Sequence, residues 1–425
     1  MTVRAPADPR DGPAGARPSD PRDGPAGARP SDAALAEVVR AENARLVRAL
    51  AGRFDLDVAE DAVADAVAEA LREWRVCGIP PRPGAWLATA ARHNALDRVR
   101  RDARYRHKLA EWAAPPAQPA DERADADERL PLLFGCCHPA LAPDAQLALT
   151  LRAVCGLTAA QIAALTFEPV ARVGQRIVRA KRKVSAAGIP LRIPERAEFP
   201  ARLDTVLAVV AAVYTRAHLL DGADGRTDRD AAEDAVWLAR VVASALPEEP
   251  EALGALALLL LHRARDEARS LNGEIVLLPA QDRRCWDPAA IAEGIALLHR
   301  AAALHRPGRW QLQAAIAACH AEAEDPSATD WRQILVLYEL LLRYDTSPVV
   351  RLNRAVALAE VAGPRVALSE VEVLPLDSSH LWHAVRADLL RRLGRGAEAA
   401  AGNARAAELA RNDAERRLLR SRLPE

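Results

Sequence analysis

Between residues 172 and 183 the chain carries Arg172, Gln175, Arg176, Arg179 and Lys183, with Lys181 and Arg182 among them and no acid. Guanidinium and amide groups at helical spacing suit one chemistry: paired hydrogen bonds to base edges in a DNA major groove, with spare charge for phosphates. Val173, Ile177, Ala180 and Val184 recur at i, i+4, i+7 and i+11, which predicts a helix with that stripe buried. The preceding stretch, "LTAAQIAALTFEP", predicts a short first helix and a turn at 166–168. Pro169 would then take the first position of the second helix. A buried stripe beside a basic one without compensating acids predicts a helix-turn-helix rather than a solvated charged face.

Two further helices stand upstream with opposite sign. "DVAEDAVADAVAEALREW" belongs to an acidic stretch holding Asp55, Asp57, Glu60, Asp61, Asp65, Glu69 and Glu73 against Arg53 and Arg72. "AWLATAARHNALDRVRRDARYRHK" is basic, with Arg92, Arg98, Arg100, Arg101, Arg104, Arg106 and Lys108 against Asp97 and Asp102. Neighbouring helices of opposite charge predict two surfaces with two different partners. All three lysines (Lys108, Lys181 and Lys183) fall in the two most basic segments.

The elements that must position these groups follow from composition and punctuation. Lys+Arg and Asp+Glu are 58 each, so a polyanion partner must meet local patches rather than a basic whole. Half the residues are hydrophobic and only 4% aromatic, which suits close packing of small-residue helices, and the expected class is all-α. "DPRDGPAGARPS" at 8–19 is repeated unchanged at 20–31, so 1–32 is expected to be a disordered duplicated tail. Helical blocks are expected at 33–108, 129–187 and 200–422, with an acidic, proline-bearing linker at 109–128. In the last block, helices ending at Gly363 and Gly394 lie 31 residues apart (394 − 363), near a tetratricopeptide period.

Several function classes lack their residues. The longest apolar run, "ALGALALLLL", is too short for a bilayer and is flanked by charges. With no secretory signal, a cytoplasmic protein without membrane contact is expected. The six cysteines lack Cys-x-x-Cys spacing, and Cys136, Cys137 and His138 are read as buried thiols beside a polar histidine rather than as a metal site. His380 and His383 read as packing or surface residues. No phosphate loop, nucleophile elbow or zinc-protease motif occurs, so neither an enzyme nor a cofactor or metal is expected.

The order of these blocks resembles the sigma-70 family, specifically the short extracytoplasmic-function (ECF) sigma factors. "LPLLFGCCHPALAPDAQLALTLRAVCGLTAAQIA", then "RIVRAKRKVSAAGIPLRIP" and a long helical tail, look like the ECF class with a tetratricopeptide-like extension. The resemblance implies that 33–108 is sigma region 2, that 129–187 is region 4 and that core RNA polymerase is the partner, through its β′ clamp helices and β flap. It implies that Asp61, Asp65 and Glu69 meet the clamp helices. It implies that Trp86, Arg92, His93, Asn94, Arg98 and Arg101 engage the −10 element, and that Arg172, Gln175, Arg176, Arg179 and Lys183 read the −35 element. The extension would receive an unidentified protein or ligand. The residues by themselves also fit an autonomous helix-turn-helix regulator with a helical-repeat sensor domain.

Overall fold

The computed structural model describes residues 32–51, 53–106, 129–166, 168–220, 231–271, 273–410 and 412–422. The duplicated tail up to residue 31, the 109–128 linker and Lys108 lie outside the described residues. Within them the protein is all-α, apart from one small hairpin.

The first unit comprises α1 (Asp32–Ala51), α2 (Leu56–Cys77) and α3 (Pro83–Arg106). Ala59, Ala62, Val63, Ala66, Ala70 and Trp74 form the buried stripe of α2, which packs on both neighbours. The second unit comprises α4 (Arg129–Cys136), α5 (Pro143–Ala153), α6 (Ala159–Thr166) and α7 (Val170–Ala186). A reciprocal cap starts α6: Thr158 N donates to Gln161 Oε1 at 2.8 Å, and Gln161 N donates to Thr158 Oγ1 at 3.2 Å. Pro169 is the N-cap of α7, one place earlier than its expected position, and its extended backbone turns the chain into the helix. Val173, Ile177, Ala180 and Val184 are buried, as their spacing predicts.

The third unit comprises α8 (Phe199–Leu220), α9 (Ala231–Ala245), α10 (Pro250–Arg263), α11 (Asp266–Arg269), the hairpin β1 (Ser270–Leu271) and β2 (Glu274–Ile275), α12 (Pro288–Ala303) and α13 (Arg309–Glu322). The strands pair antiparallel, Ser270 with Ile275 and Leu271 with Glu274. The apolar run at 252–261 is the middle of α10, buried on every side by α8, α9, α12 and α13. Gly254 permits the close approach of α13, because a Cβ there would meet Gln311 N at 2.7 Å. No helix among the described residues is long and apolar enough to cross a membrane.

The chain ends in α14 (Trp331–Leu341), α15 (Pro348–Ala362), α16 (Pro364–Val371), α17 (His380–Arg392), α18 (Gly396–Leu409) and α19 (Asp413–Arg420), each packed on the next. Gly363 and Gly394, at φ 90° and 77°, make the left-handed turns that close α15 and precede α18. Asp287, Asp330 and Ser347 cap α12, α14 and α15 with their side-chain oxygens. Consecutive packing with short turns is the arrangement of a helical repeat.

One hydrophobic core runs from Leu35 to Ala318 and joins the first three units. Polar ties cross it. Arg40 Nε on α1 lies 2.9 Å from Oδ1 of Asp234, a fully buried residue of α9. Asn43 Nδ2 donates to Ala153 O at 2.9 Å, and Arg202 Nη2 donates to Phe134 O at 2.6 Å.

Candidate nucleic-acid interface

The buried stripe of α7 faces α5 and α6, which fixes what its opposite face can present. Arg172, Gln175, Arg179 and Lys183 are exposed there. Arg182 is exposed as well and extends the Gln175–Arg179 face by one turn; it was absent from the expected readers, although its spacing of seven from Gln175 marks it.

Arg176 differs from its helix neighbours. Its Nη1 and Nη2 each donate to a Glu168 carboxylate oxygen at 2.7 Å, and its side chain is only 17% exposed. The hydrogen bonds hold the Glu168 carboxyl below the usual glutamate range and raise the Arg176 guanidinium. Arg176 thus closes the turn between α6 and α7 in this conformer.

Lys181 departs further from the expectation of an uncompensated basic stripe. Its ammonium is buried against α2, 2.5 Å from Glu60 Oε2 and 3.0 Å from Asp57 Oδ1. Burial alone would lower its pKa, but the attraction of Glu60 and the Asp57 and Glu60 hydrogen bonds overcome that and raise it. Arg152 on α5 pairs with the other Glu60 oxygen. The helix contains no acid, yet α2 supplies three nearby carboxylates, with Asp61 at 4.0 Å.

The acidic face of α2 and the basic face of α3 are also partly paired with each other. Antiparallel packing brings Arg98 onto the acidic face, with Nη1 2.9 Å from Asp61 Oδ2 and Nη2 2.8 Å from Asp65 Oδ2. Asn94 Nδ2 likewise points to α2, donating to Ala62 O at 3.5 Å. Arg92 and His93 are exposed on the other side of α3. Trp86 is half-buried, its ring edge-on to Trp74 at 5.4 Å between centroids. Glu69 lies one turn beyond Asp65 on α2 and is half-buried. The side chain of Arg101 lies outside the described residues.

Cys136 and Cys137 are wholly buried, and burial pushes the Cys137 thiol up to about 12 and Cys136 well above the usual thiol range. His138 accepts a hydrogen bond from Ala140 N and is held below the ordinary histidine range, chiefly by burial. His380 faces Glu415 at 3.5 Å, and His383 stacks edge-on to Trp382.

Three family models match the chain. Sigma-70 region 2 covers residues 40–105, sigma-70 region 4 covers 132–184, and a family of unknown function (DUF6596) covers 202–302. An uncharacterized protein of Rhizobium meliloti (strain 1021) is 40% identical over 387 residues, spanning 87% of this chain and 90% of that protein. No solved structure matches.

Proposed function

We infer the role of this chain from its membership: it belongs to the sigma-70 family, as an ECF-like sigma factor in which regions 2 and 4 precede a helical extension. Its general role is promoter recognition for transcription initiation, and sigma factors of this family are not enzymes. In the finer reading, the exposed α7 face reads the −35 element. Trp86, Arg92 and His93 on α3, joined by Asn94, Arg98 and Arg101, engage and melt the −10 element. Asp61, Asp65 and Glu69 meet the β′ clamp helices, and region 4 meets the β flap.

The observation that carries this reading is the division of charge on α7. Arg176 and Lys181 are committed to internal carboxylates, while Gln175, Arg179, Arg182 and Lys183 remain exposed on one side of a helix whose other side is core. A solvated face would not need that sorting.

The described conformer is a closed one. Asp61 of α2 meets both Arg98 of α3, at 2.9 Å, and Lys181 of α7, at 4.0 Å, so the two helices are held close together. Elements centred at −10 and −35 lie about 85 Å apart along straight DNA, at ~3.4 Å per base pair. Both surfaces reach one promoter only after α7 leaves α2. The chain between Arg106 and Arg129 is long enough for this, since its 22 residues (107–128) extend to at most about 75 Å. Opening breaks the Lys181 contacts and uncovers Asp57 and the Lys181 side of Asp61 next to the polymerase-binding face, so core binding and opening are coupled. The extension regulates this step through its hold on α1, by Asp234 and Arg40.

Adding the protein to core polymerase is expected to give promoter-specific run-off transcription. Tight operator binding without polymerase, and no transcript with it, would support the autonomous regulator instead.

A further inference from the structure

A cavity of about 560 Å³ lies in the extension between α13, α14 and α15. This is the size of small-molecule sites, typically ~300–1,000 Å³. Trp331 and Tyr338 give it aromatic walls, Ile334 and Val356 add aliphatic ones, and the polar lining includes Arg283 and, from α15, Glu360.

Arg283 is held firmly. Its Nη1 donates to His320 O at 2.8 Å and Ala323 O at 2.7 Å, and its Cζ lies 4.5 Å from the Trp286 ring centroid. Arg265 approaches the same ring at 5.5 Å. Neither arginine has a carboxylate ion-pair partner among the described residues; their hydrogen bonds go to Gln281 and to backbone carbonyls. The acids nearby are engaged elsewhere. Asp266 pairs with Arg263 and Arg269, Asp325 caps Ser327 and Ala328, and Glu360 pairs with Arg392.

No carboxylate bonds to either arginine, although the fields of Asp325 and Asp266 reach Arg283 and Arg265, and the neighbouring groups register the positive charge. Burial, then the repulsion of Arg265 and Arg283, brings His320 down to about 4, so it is neutral at physiological pH. Burial brings Arg265 itself down to about 10, with Arg269 adding to the effect. Keeping partly buried cations without a directly paired counter-charge costs free energy that a bound anion would offset.

We propose that this cavity binds a small organic anion with a flat apolar body, its carboxylate against Arg283 and its rings against Trp331 and Tyr338. A guanidinium fixed by backbone carbonyls is preorganised for a carboxylate, and aromatic walls favour a planar partner over a flexible one.

Titration calorimetry of the full-length protein with 2-naphthoate and its neutral amide, 2-naphthamide, tests the site. Saturable binding of one naphthoate is expected, with the amide at least tenfold weaker. Arg283→Gln should weaken naphthoate at least tenfold and leave the amide unchanged. Arg284→Gln, at an exposed arginine paired with Asp282, should change neither. Equal affinity for the two probes, no saturable binding at millimolar naphthoate, or equal losses in the two arginine variants would overturn the proposal. The probe comparison on the unaltered protein decides the matter even if Arg283→Gln folds poorly. Because the readout is binding alone, its failure leaves the role in transcription untouched.

Discussion

Lys181 Nζ lies 2.5 Å from Glu60 Oε2, with both side chains almost wholly buried where α7 meets α2. A lysine on the helix that would read DNA is turned inward, onto the helix that would bind polymerase. Removing one member of a buried ion pair costs about 3–5 kcal/mol where the other is left stranded. Arg152 still holds Glu60 when Lys181 is removed, so Lys181→Ala should lower stability to urea by less than that, about 1–3 kcal/mol. Lys183→Ala, at an exposed neighbour, should cost less than about 0.5 kcal/mol. Similar urea midpoints for the two variants would mean that the α2–α7 contact does not hold in solution.

Arg179 should show the opposite behaviour. Its side chain is exposed and joins the core to nothing, apart from a hydrogen bond to Gln175 O. Arg179→Ala should leave the melting temperature unchanged and reduce discrimination between cognate and altered −35 sequences by about 1–3 kcal/mol, measured with polymerase bound. A uniform loss across all sequences would assign Arg179 to phosphates only.

The Arg176–Glu168 strap predicts a particular dependence on acid. Glu168 titrates below the ordinary glutamate value in the folded chain, so the strap's contribution is present above that ordinary value. It is lost as pH falls through the depressed folded value. The stability difference between the natural protein and Glu168→Gln should hold steady at neutral pH and shrink on acidification below about pH 4.5. A difference that is constant down to pH 3 would remove the ion pair from the account.

Thiol reactivity gives a direct check on the core. Cys77 and Cys285 are exposed, whereas Cys136, Cys137, Cys155 and Cys319 are buried. A disulfide reagent such as dithionitrobenzoate should modify two thiols rapidly in the native protein and all six in guanidinium. Fast reaction of Cys136 or Cys137 would show that the α4–α5 core opens readily.

The parts legible in sequence were the periodic ones. Val173, Ile177, Ala180 and Val184 announced the inner face of α7, and "LTAAQIAALTFEP" announced α6 and the turn after it. What escaped was pairing over distance. Lys181 and Glu60 are 121 positions apart (181 − 60), and nothing local distinguishes a lysine that will be buried from Lys183 two residues on. Arg98 illustrates the same limit: net charge along α2 and α3 was readable, but their antiparallel register, which sets Arg98 on Asp61 and Asp65, is a tertiary fact. Arg176 lay within reach, since Glu168 is eight residues away, but a turn and not a helix connects them.

The core that runs unbroken from Leu35 to Ala318 has a consequence for engineering and for evolution. Chimeras that graft regions 2 and 4 onto a foreign tail, or this tail onto another sigma factor, would cut through shared packing and leave Asp234 or Arg40 without its counterpart. Exchange between relatives should succeed only when α8 to α10 travel with the segments they support, because the extension and the first two units share one core.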